Sequence, residues 1–274
     1  MKKTVICHFY NEEFLLPWWL KHHKHVFDHG IMINYASNDR SCELIRNICP
    51  TWEIRQSRNS FFDGILIDQE VMDIERQITG WRITLNVTEF LFGNITRLHD
   101  RKGEMTQHLL TNYVFVDMED CTKGPKYLLH DIPLHEQRFW GYHDKDNYGE
   151  IHIDDNLYYG KHRRMNRSIH NFPVTYTGGR HWPNTDYSFN DLVIFYYGWA
   201  DIGERGLERR LQIKDKIGND TNTIHHYSKE KLLEIYRKEQ QPRSQDLRET
   251  IGILSIYNAQ TQLNNMKAST VFNL

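Results

Sequence analysis

The sequence has few cysteines and no long apolar run. Neither C-x-x-C spacing nor metal-ligand spacing occurs among its four cysteines, Cys7, Cys42, Cys49 and Cys121. This excludes a small disulfide scaffold and predicts reduced thiols. The longest apolar stretch, Phe14 to Leu20, is far shorter than the roughly 20 residues that a membrane-spanning helix needs. Since no export signal follows Met1 either, the sequence predicts a cytoplasmic protein without a membrane span.

A strong net charge is also missing. The formal net charge is -2 and the isoelectric point is near 6.8, which argues against a surface that binds nucleic acid everywhere but leaves room for a local basic groove. With 274 residues, of which 39% are hydrophobic, the chain is long enough for one large α/β domain or a domain with a helical extension. The oligomeric state is left open.

Strand and helix patterns alternate over the first third of the chain. The predicted order is strand Thr4–Phe9, helix Asn11 to about His25, strand Gly30–Tyr35, helix Ser41–Ile48, strand Trp52–Gln56, helix Asp68–Thr79 and strand Trp81–Leu85 within the apolar run Gly80–Phe92. This alternation predicts a mostly parallel sheet with ligands at the carboxyl ends of its strands.

Beyond residue 93 the pattern is looser, and a region rich in His, Tyr, Arg and Asn is expected to form an acceptor site. Strands are predicted at Tyr113–Met118 and Leu192–Tyr197, a helix capped by Ser228 through Gln240, and a further helix over Leu247–Tyr257.

Polar motifs follow three of the predicted strands. They are Asn11-Glu12-Glu13, the loop Asn34–Ser41, and Asn86-Val87-Thr88-Glu89. Taken alone, each is also typical of a helix start or a turn. In this order, with PWWLKHH after the first, they resemble the GT-A glycosyltransferases, specifically family 2-like proteins with NE, D-N-x-S-x-D-x-S and D-x-D-E-F motifs.

The resemblance covers about the first 95 residues. It implies an α/β fold of the GT-A type, with a Rossmann-like, mostly parallel mixed sheet flanked by helices and with C-terminal helices. It also implies a nucleotide-sugar-binding half over residues 1–98, an acceptor-binding half of the same domain over 99–227, and a helical extension over 228–274.

The same resemblance implies which residues bind the nucleotide sugar. They are Phe9, Tyr10, Asn11, Glu12, Asn34, Ser37, Asp39, Asn86, Thr88 and Glu89. Asn86 and Thr88 occupy the two D-x-D positions, where carboxylates would hold a divalent cation against the leaving diphosphate. Because both side chains are neutral, we expect metal-independent transfer, and Glu89 is the alternative ligand for Mn²⁺ or Mg²⁺.

Without a metal, another cation must face the diphosphate. Arg163, Arg164 and Arg167 belong to the densest basic run, and a planar guanidinium binds phosphate oxygens bidentately. An exposed surface face explains this run equally well. A second basic run has spacing that suits an exposed helix face, and comprises Arg205, Arg209, Arg210, Lys214 and Lys216.

Inverting transfer also needs a general base for the acceptor hydroxyl. The candidates are Asp154, Asp155, Asp186 and His181. Their spacing singles out none of them, and turn or surface roles explain each one as well.

Together, these observations predict an inverting transferase that moves a hexose or pentose from a nucleotide sugar to a hydroxyl acceptor. By resemblance the donor is a UDP sugar, which acts as co-substrate, and the acceptor is a glycan, a protein or a modified nucleic-acid base. The alternative is a binding protein that kept the fold and lost catalysis, because the substitutions at Asn86 and Thr88 explain that equally well.

Overall fold

The computed structural model describes residues 1–95, 98, 106–115, 124–143, 153–154, 156–157, 167–176, 180, 188–217, 226–240, 245–249 and 251. Its strands are β1 (Lys3–Phe9), β2 (His29–Asn34), β3 (Glu53–Gln56), β4 (Trp81–Thr84), β5 (Glu89–Phe92), β6 (Thr106–Phe115), β7 (Trp140–His143), β8 (Ile153–Asp154), β9 (Asn156–Leu157), β10 (Arg167–His170), β11 (Ser188–Trp199) and β12 (Gln245–Asp246). Its α-helices are α1 (Leu16–His23), α2 (Ser41–Ile48), α3 (Gly64–Glu75), α4 (Leu134–Gln137), α5 (Glu204–Leu211) and α6 (Lys229–Ile235). A 3-10 helix, Gln212–Lys216, extends α5, and a π-helix, Tyr236–Gln240, extends α6.

The first four strands form a parallel sheet in the order β4-β1-β2-β3. On the far side of β4, antiparallel β10 leads to β6, and β7 and β12 follow. The long strand β11 pairs in parallel with β6 and antiparallel with β5. This strand order confirms the predicted α/β class, a Rossmann-like mixed sheet flanked by helices.

Side chains of β1 alternate between two apolar layers. Val5, Cys7 and Phe9 pack in the layer that contains α1 and α2, whereas Ile6 packs with Ile67 and other α3 residues in the opposite layer. All seven residues of β1 are buried, as expected for a central parallel strand covered on both faces. By the same alternation, His8 belongs to the α3 side of the sheet.

Two predicted helices begin at the wrong residue. The first was expected from Asn11, but α1 begins at Leu16, because Asn11 has a φ of 51° and side chains of the next loop bind the backbone N–H groups of Glu12 and Glu13. The third was expected over 68–79, but α3 spans Gly64–Glu75. Its start is set by Asp63, whose carboxylate accepts hydrogen bonds from the backbone of Ile65 and Leu66.

The apolar run Gly80–Phe92 is two strands rather than one. β4 ends at Thr84 and β5 begins at Glu89, with Asn86–Thr88 in the turn between them; the backbone N–H of Glu89 donates to the carbonyl of Asn86 at 2.9 Å. The turn therefore presents Asn86, Val87 and Thr88, which the resemblance likens to a D-x-D motif, at the carboxyl end of β4.

Later elements also differ from the predicted bounds. β6 begins at Thr106, and residues 116–118 of the predicted strand lie outside the described part of the chain. β11 is longer than the predicted Leu192–Tyr197. Ser228 is confirmed as an N-cap, since its hydroxyl accepts from the backbone of Lys231 at 3.2 Å, but the α-helix ends at Ile235. Most of the predicted helix 247–257 falls outside the described residues.

No helix of the described residues combines the length and apolar character needed to cross a membrane.

Candidate functional site

A cavity of about 220 Å³ lies at the carboxyl ends of β1 and β4. Its walls come from the end of β1, the turn after β4, the start of the α3 region, β11, and α5 with its 3-10 extension. The lining residues are His8, Phe9, Tyr10, Glu12, Tyr35, Phe62, Asn86, Val87, Thr88, Tyr196, Arg209, Arg210, Gln212 and Ile213. This edge of the sheet is where open α/β folds bind ligands.

Aromatic and cationic side chains both line the cavity. Tyr35 and Phe62 lie with ring centroids 5.9 Å apart, and the ammonium of Lys216 lies 5.1 Å from the ring of Tyr10. Arg209 and Arg210 of α5 belong to the same lining. A planar ring joined to an anionic group suits such a site, because the rings offer stacking surfaces and the guanidinium groups offer charge and hydrogen bonds.

Four of the predicted binding residues belong to a rigid loop pair next to the cavity. The side-chain amide of Asn11 donates to Oδ1 of Asn38 at 2.9 Å. The backbone N–H of Asn38 donates to Oδ1 of Asn11, also at 2.9 Å. The hydroxyl of Ser37 accepts from the backbone of Asn11 at 3.0 Å. Asp39 accepts from Glu13, and Asn34 from Ser37. These side chains hold the two loops together, so they shape the wall of the cavity.

Of the other predicted binding residues, five line the cavity and one does not. Phe9, Tyr10, Glu12, Asn86 and Thr88 line the cavity. Glu89 lies behind it, with its side chain 1% exposed. Its carboxylate accepts from Nε and Nη2 of Arg167 at 2.9 to 3.0 Å and from the backbone N–H of Asn86 at 2.7 Å.

A second buried guanidinium reaches the first D-x-D position. Nη2 of Arg180 donates to Oδ1 of Asn86 at 3.0 Å, and its backbone N–H donates to the carboxylate of Asp68 at 3.2 Å. Burial and the like charge of Arg167 lower the pKa of Arg180, while Asp68 and Glu89 oppose that shift.

A divalent cation does not fit this donor set. Both oxygens of Glu89 already accept charge-assisted or backbone hydrogen bonds, and the side-chain oxygen of Asn86 accepts from a cation. A metal ion at these positions would face two guanidinium groups of the same sign. Elsewhere in the described ranges, no three His, Cys, Asp or Glu side chains gather into a possible metal site.

His8 is a cavity residue that the sequence reasoning missed. It is 7% exposed, and neither ring nitrogen has a hydrogen-bond partner among the described residues. The carboxylate of Glu70 lies 3.9 Å from Nε2. Burial lowers the pKa of His8 to about 4, so the ring is neutral at physiological pH. The sequence could have indicated His8 as a site residue, because it lies at the end of a buried strand, directly before Phe9 and Tyr10.

Arg209 and Arg210 were read as part of an exposed helix face, and that interpretation is wrong for both. The Arg209 side chain is 10% exposed and Arg210 is 8% exposed, whereas Arg205 is exposed. The guanidinium of Arg210 lies 3.5 Å over the ring of Trp199. Trp199 belongs to β11, so Arg210 is covered by a strand that lies close to α5 only in the folded chain.

The remaining predicted site residues stay predictions. Arg163, Arg164, Asp155, His181 and Asp186 lie outside the described residues, and for Asp154, in β8, only the backbone is described. Arg167 is described, and it pairs with Glu89 behind the cavity instead of lining it. The boundaries proposed at residues 98 and 227 also stay predictions.

Comparison with known proteins gave no match to a family model and none to a curated protein. Among solved structures, S. aureus TarS 1-349 aligns over 87% of this chain and 73% of its own, at 12% identity and a TM-score of 0.41. The same fragment with UDP-GlcNAc aligns over 43% and 36%, at 15% identity and a TM-score of 0.29.

HddC from Yersinia pseudotuberculosis aligns over 72% of this chain and 94% of its own, at 10% identity and a TM-score of 0.35. A further S. aureus TarS structure aligns over 33% of this chain and only 17% of its own, at 18% identity and a TM-score of 0.27. Similarities of this size assign the chain to no family.

Proposed function

We propose that the chain is a glycosyltransferase of the GT-A type that transfers a sugar from a nucleotide sugar to a hydroxyl acceptor. One observation carries this proposal, the cavity at the carboxyl ends of β1 and β4, which is lined by aromatic rings and by two arginines. The turn at the D-x-D positions forms part of the same cavity through Asn86, Val87 and Thr88.

The donor is a nucleoside diphosphate sugar, and a UDP sugar is the first candidate by resemblance. The aromatic group Tyr10, Tyr35 and Phe62 supports binding of a base and ribose. Arg209 supports binding of the diphosphate, because a fork-shaped guanidinium group binds two phosphate oxygens at once. The TarS fragment has been crystallised with UDP-GlcNAc, which makes that compound a natural member of a donor panel.

Transfer is independent of a divalent metal in this proposal. Arg167 neutralises Glu89, and Arg180 binds Asn86, so the turn beside the diphosphate carries little negative charge. Fixed cationic groups can stabilise charge that develops on a leaving diphosphate, as a metal ion otherwise does. This chain supplies such groups from its own side chains.

The acceptor is a hydroxyl of a glycan, a protein or a modified nucleic-acid base, and transfer inverts the anomeric carbon. The general base comes from Asp154, Asp155, Asp186 or His181. A neutral imidazole or a carboxylate at hydrogen-bond distance from the acceptor hydroxyl would accept its proton during attack.

Calorimetric titration tests the proposal directly. EDTA-treated protein is titrated with UDP-GlcNAc, UDP-glucose, UDP-galactose and the corresponding GDP and TDP sugars, and each titration is repeated with Mn²⁺. We expect at least one donor to bind in EDTA with an affinity that Mn²⁺ leaves unchanged. If no donor binds under either condition, the proposal is wrong; if a donor binds only with Mn²⁺, its metal-independent form is wrong.

A binding protein without catalysis is the second candidate, and the loss of both D-x-D carboxylates favours it. Release of the free nucleoside diphosphate from a bound donor separates the two. Slow hydrolysis of the donor in EDTA, abolished by Asn86→Leu, would support an enzyme. A donor that binds tightly and stays intact over days would favour the binding protein.

A further inference from the structure

The cavity is bridged by an ion pair between distant parts of the chain. Nε and Nη2 of Arg209, in α5, donate to the two carboxylate oxygens of Glu12, each at 2.7 Å. Glu12 belongs to the loop after β1, 197 positions earlier in the sequence. The two side chains are 10% and 14% exposed, and both residues line the cavity.

The neighbouring arginines of α5 are held in other ways. Arg210 donates from Nη1 to the carbonyl of Gly198 at 2.7 Å and packs on the ring of Trp199, so it belongs to the packing between α5 and β11. Arg205 is exposed and lies 5.0 Å from the ring of Phe14. Of these three side chains, Arg209 is the one whose charge is held by a carboxylate within the cavity.

The loop that carries Glu12 is also held by contacts that do not involve Arg209. The backbone N–H of Glu12 donates to the Ser41 hydroxyl at 2.9 Å, and the side chain of the adjoining Asn11 donates to that of Asn38. Burial raises the pKa of Glu12, against the opposing effect of Arg209. Because burial favours the neutral form of Glu12, its negative charge depends on the pairing with Arg209.

A diphosphate is a stronger partner than Glu12 for the same guanidinium. It carries more negative charge, and its paired oxygens match the fork that now holds the carboxylate. A ligand that places a diphosphate beside Asn86–Thr88 would therefore compete directly with Glu12 for Arg209.

We propose that Arg209 is the diphosphate-binding residue of this cavity, and that Glu12 holds it across the cavity until a nucleoside diphosphate displaces it. This inference rests on the proposed function and assigns the recognition of the diphosphate to one residue. Arg209 thereby distinguishes a nucleoside diphosphate from the nucleoside alone.

The test compares UDP with uridine by calorimetry in EDTA, using the full chain. Arg209→Ala should lower the affinity for UDP about 10- to 100-fold, the effect of losing charge-assisted hydrogen bonds, and leave the affinity for uridine unchanged. Arg205→Ala, one turn earlier on the same helix, is the matched control and should leave both affinities unchanged. Glu12→Gln removes the competing charge, so the ratio of UDP affinity to uridine affinity should rise.

Arg209→Lys covers the case in which the alanine variant fails to fold. It retains the charge and loses the fork, and its UDP affinity should fall between those of the wild type and Arg209→Ala. If UDP binds and both Arg209 variants bind it as the wild type does, this inference is wrong while the proposed function stands. If UDP, ADP, GDP and their nucleosides all fail to bind the wild type, the proposed function is wrong, and this inference with it.

Discussion

Arg167 and Glu89 form a buried, bidentate ion pair between β10 and β5, with both side chains at most 3% exposed. The acid that follows the D-x-D positions is therefore bound inside the protein. Because β10 pairs with β4 and β6, while β5 pairs with β11, the ion pair links two branches of the sheet. Its partners are 78 positions apart in the chain.

Removing Arg167 should destabilise the fold strongly. Arg167→Met leaves the carboxylate of Glu89 buried without its cation, and the free energy of unfolding should fall by about 3 to 5 kcal/mol. Urea unfolding measures this change. Arg40→Met is the matched control, because the Arg40–Glu43 pair is exposed at 68% and 54% and water screens its attraction, so its loss should change the free energy of unfolding far less. Equal losses in the two variants would contradict a structural role for the buried pair.

Placing a carboxylate at position 86 should not create a metal requirement. In Asn86→Asp the new carboxylate lies next to Nη2 of Arg180, which is 3.0 Å from the present amide oxygen, and pairs with it. Donor affinity should therefore remain insensitive to Mn²⁺. In the double variant with Arg180→Met the carboxylate loses this partner, and Mn²⁺ should then raise donor affinity. A Mn²⁺ effect in Asn86→Asp alone would show that Arg180 does not occupy that position.

Buried histidines should make the protein less stable in acid. His23 is fully buried, accepts a hydrogen bond from the Leu91 backbone, and contacts the Trp19 carbonyl through its other ring nitrogen. This arrangement requires a neutral ring, and burial lowers the pKa of His23 well below 6.5. His8, with a pKa of about 4, behaves in the same way.

The direction of the change in stability with pH follows from the protonation of the two histidines in the folded and unfolded chains. Above pH 6.5 both histidines are neutral in the folded and unfolded chains, so their contribution is constant. As the pH falls below 6.5, the unfolded chain binds protons first, and stability decreases by up to about 1.4 kcal/mol per pH unit for each histidine. For His8 this loss continues to about pH 4. Urea unfolding between pH 7.5 and pH 5 should show a shallower slope for His23→Gln than for the exposed control His25→Gln; identical slopes would contradict the prediction.

Two glycines offer a test of the described packing. A Cβ at Gly30, in β2, would collide with the ring of Trp52, so Gly30→Ala should lower the free energy of unfolding by about 1 to 3 kcal/mol. Gly64, at the start of α3, has open space around the same position. Gly64→Ala should be neutral or stabilise by up to about 1 kcal/mol. Thermal or urea unfolding of both variants decides, and similar losses in the two would contradict the described packing.

The first half of the fold was predictable because its signals are local. The buried run of β1, the alternation with α1 and α2, and the polar loops after β1 and β2 follow from spacing within about ten residues. The start of α3 was also readable, since Asp63 is a capping residue immediately before it. The prediction of a helix over 68–79 rested on apolar spacing alone, which misplaced the helix by four residues.

The pairs that define the site were not predictable from spacing. Arg209 meets Glu12, and Arg167 meets Glu89, only because the sheet places their elements together. Basic residues on a short helix are normally exposed, and whether one is buried depends on what covers the helix. For Arg210 that cover is Trp199, which precedes α5 in the chain but whose orientation is set by β11.

β11 also decides how the chain responds to shortening. Phe92 of β5 pairs with Val193 of β11, so a fragment that stops soon after β5 would retain an apolar strand, Glu89–Phe92, with a row of unpaired backbone donors and acceptors. Such an edge recruits strands from other molecules. The first 95 residues carry most of the recognisable sequence pattern, yet produced alone they should self-associate into aggregates, because the strand that covers this edge comes from a later part of the chain.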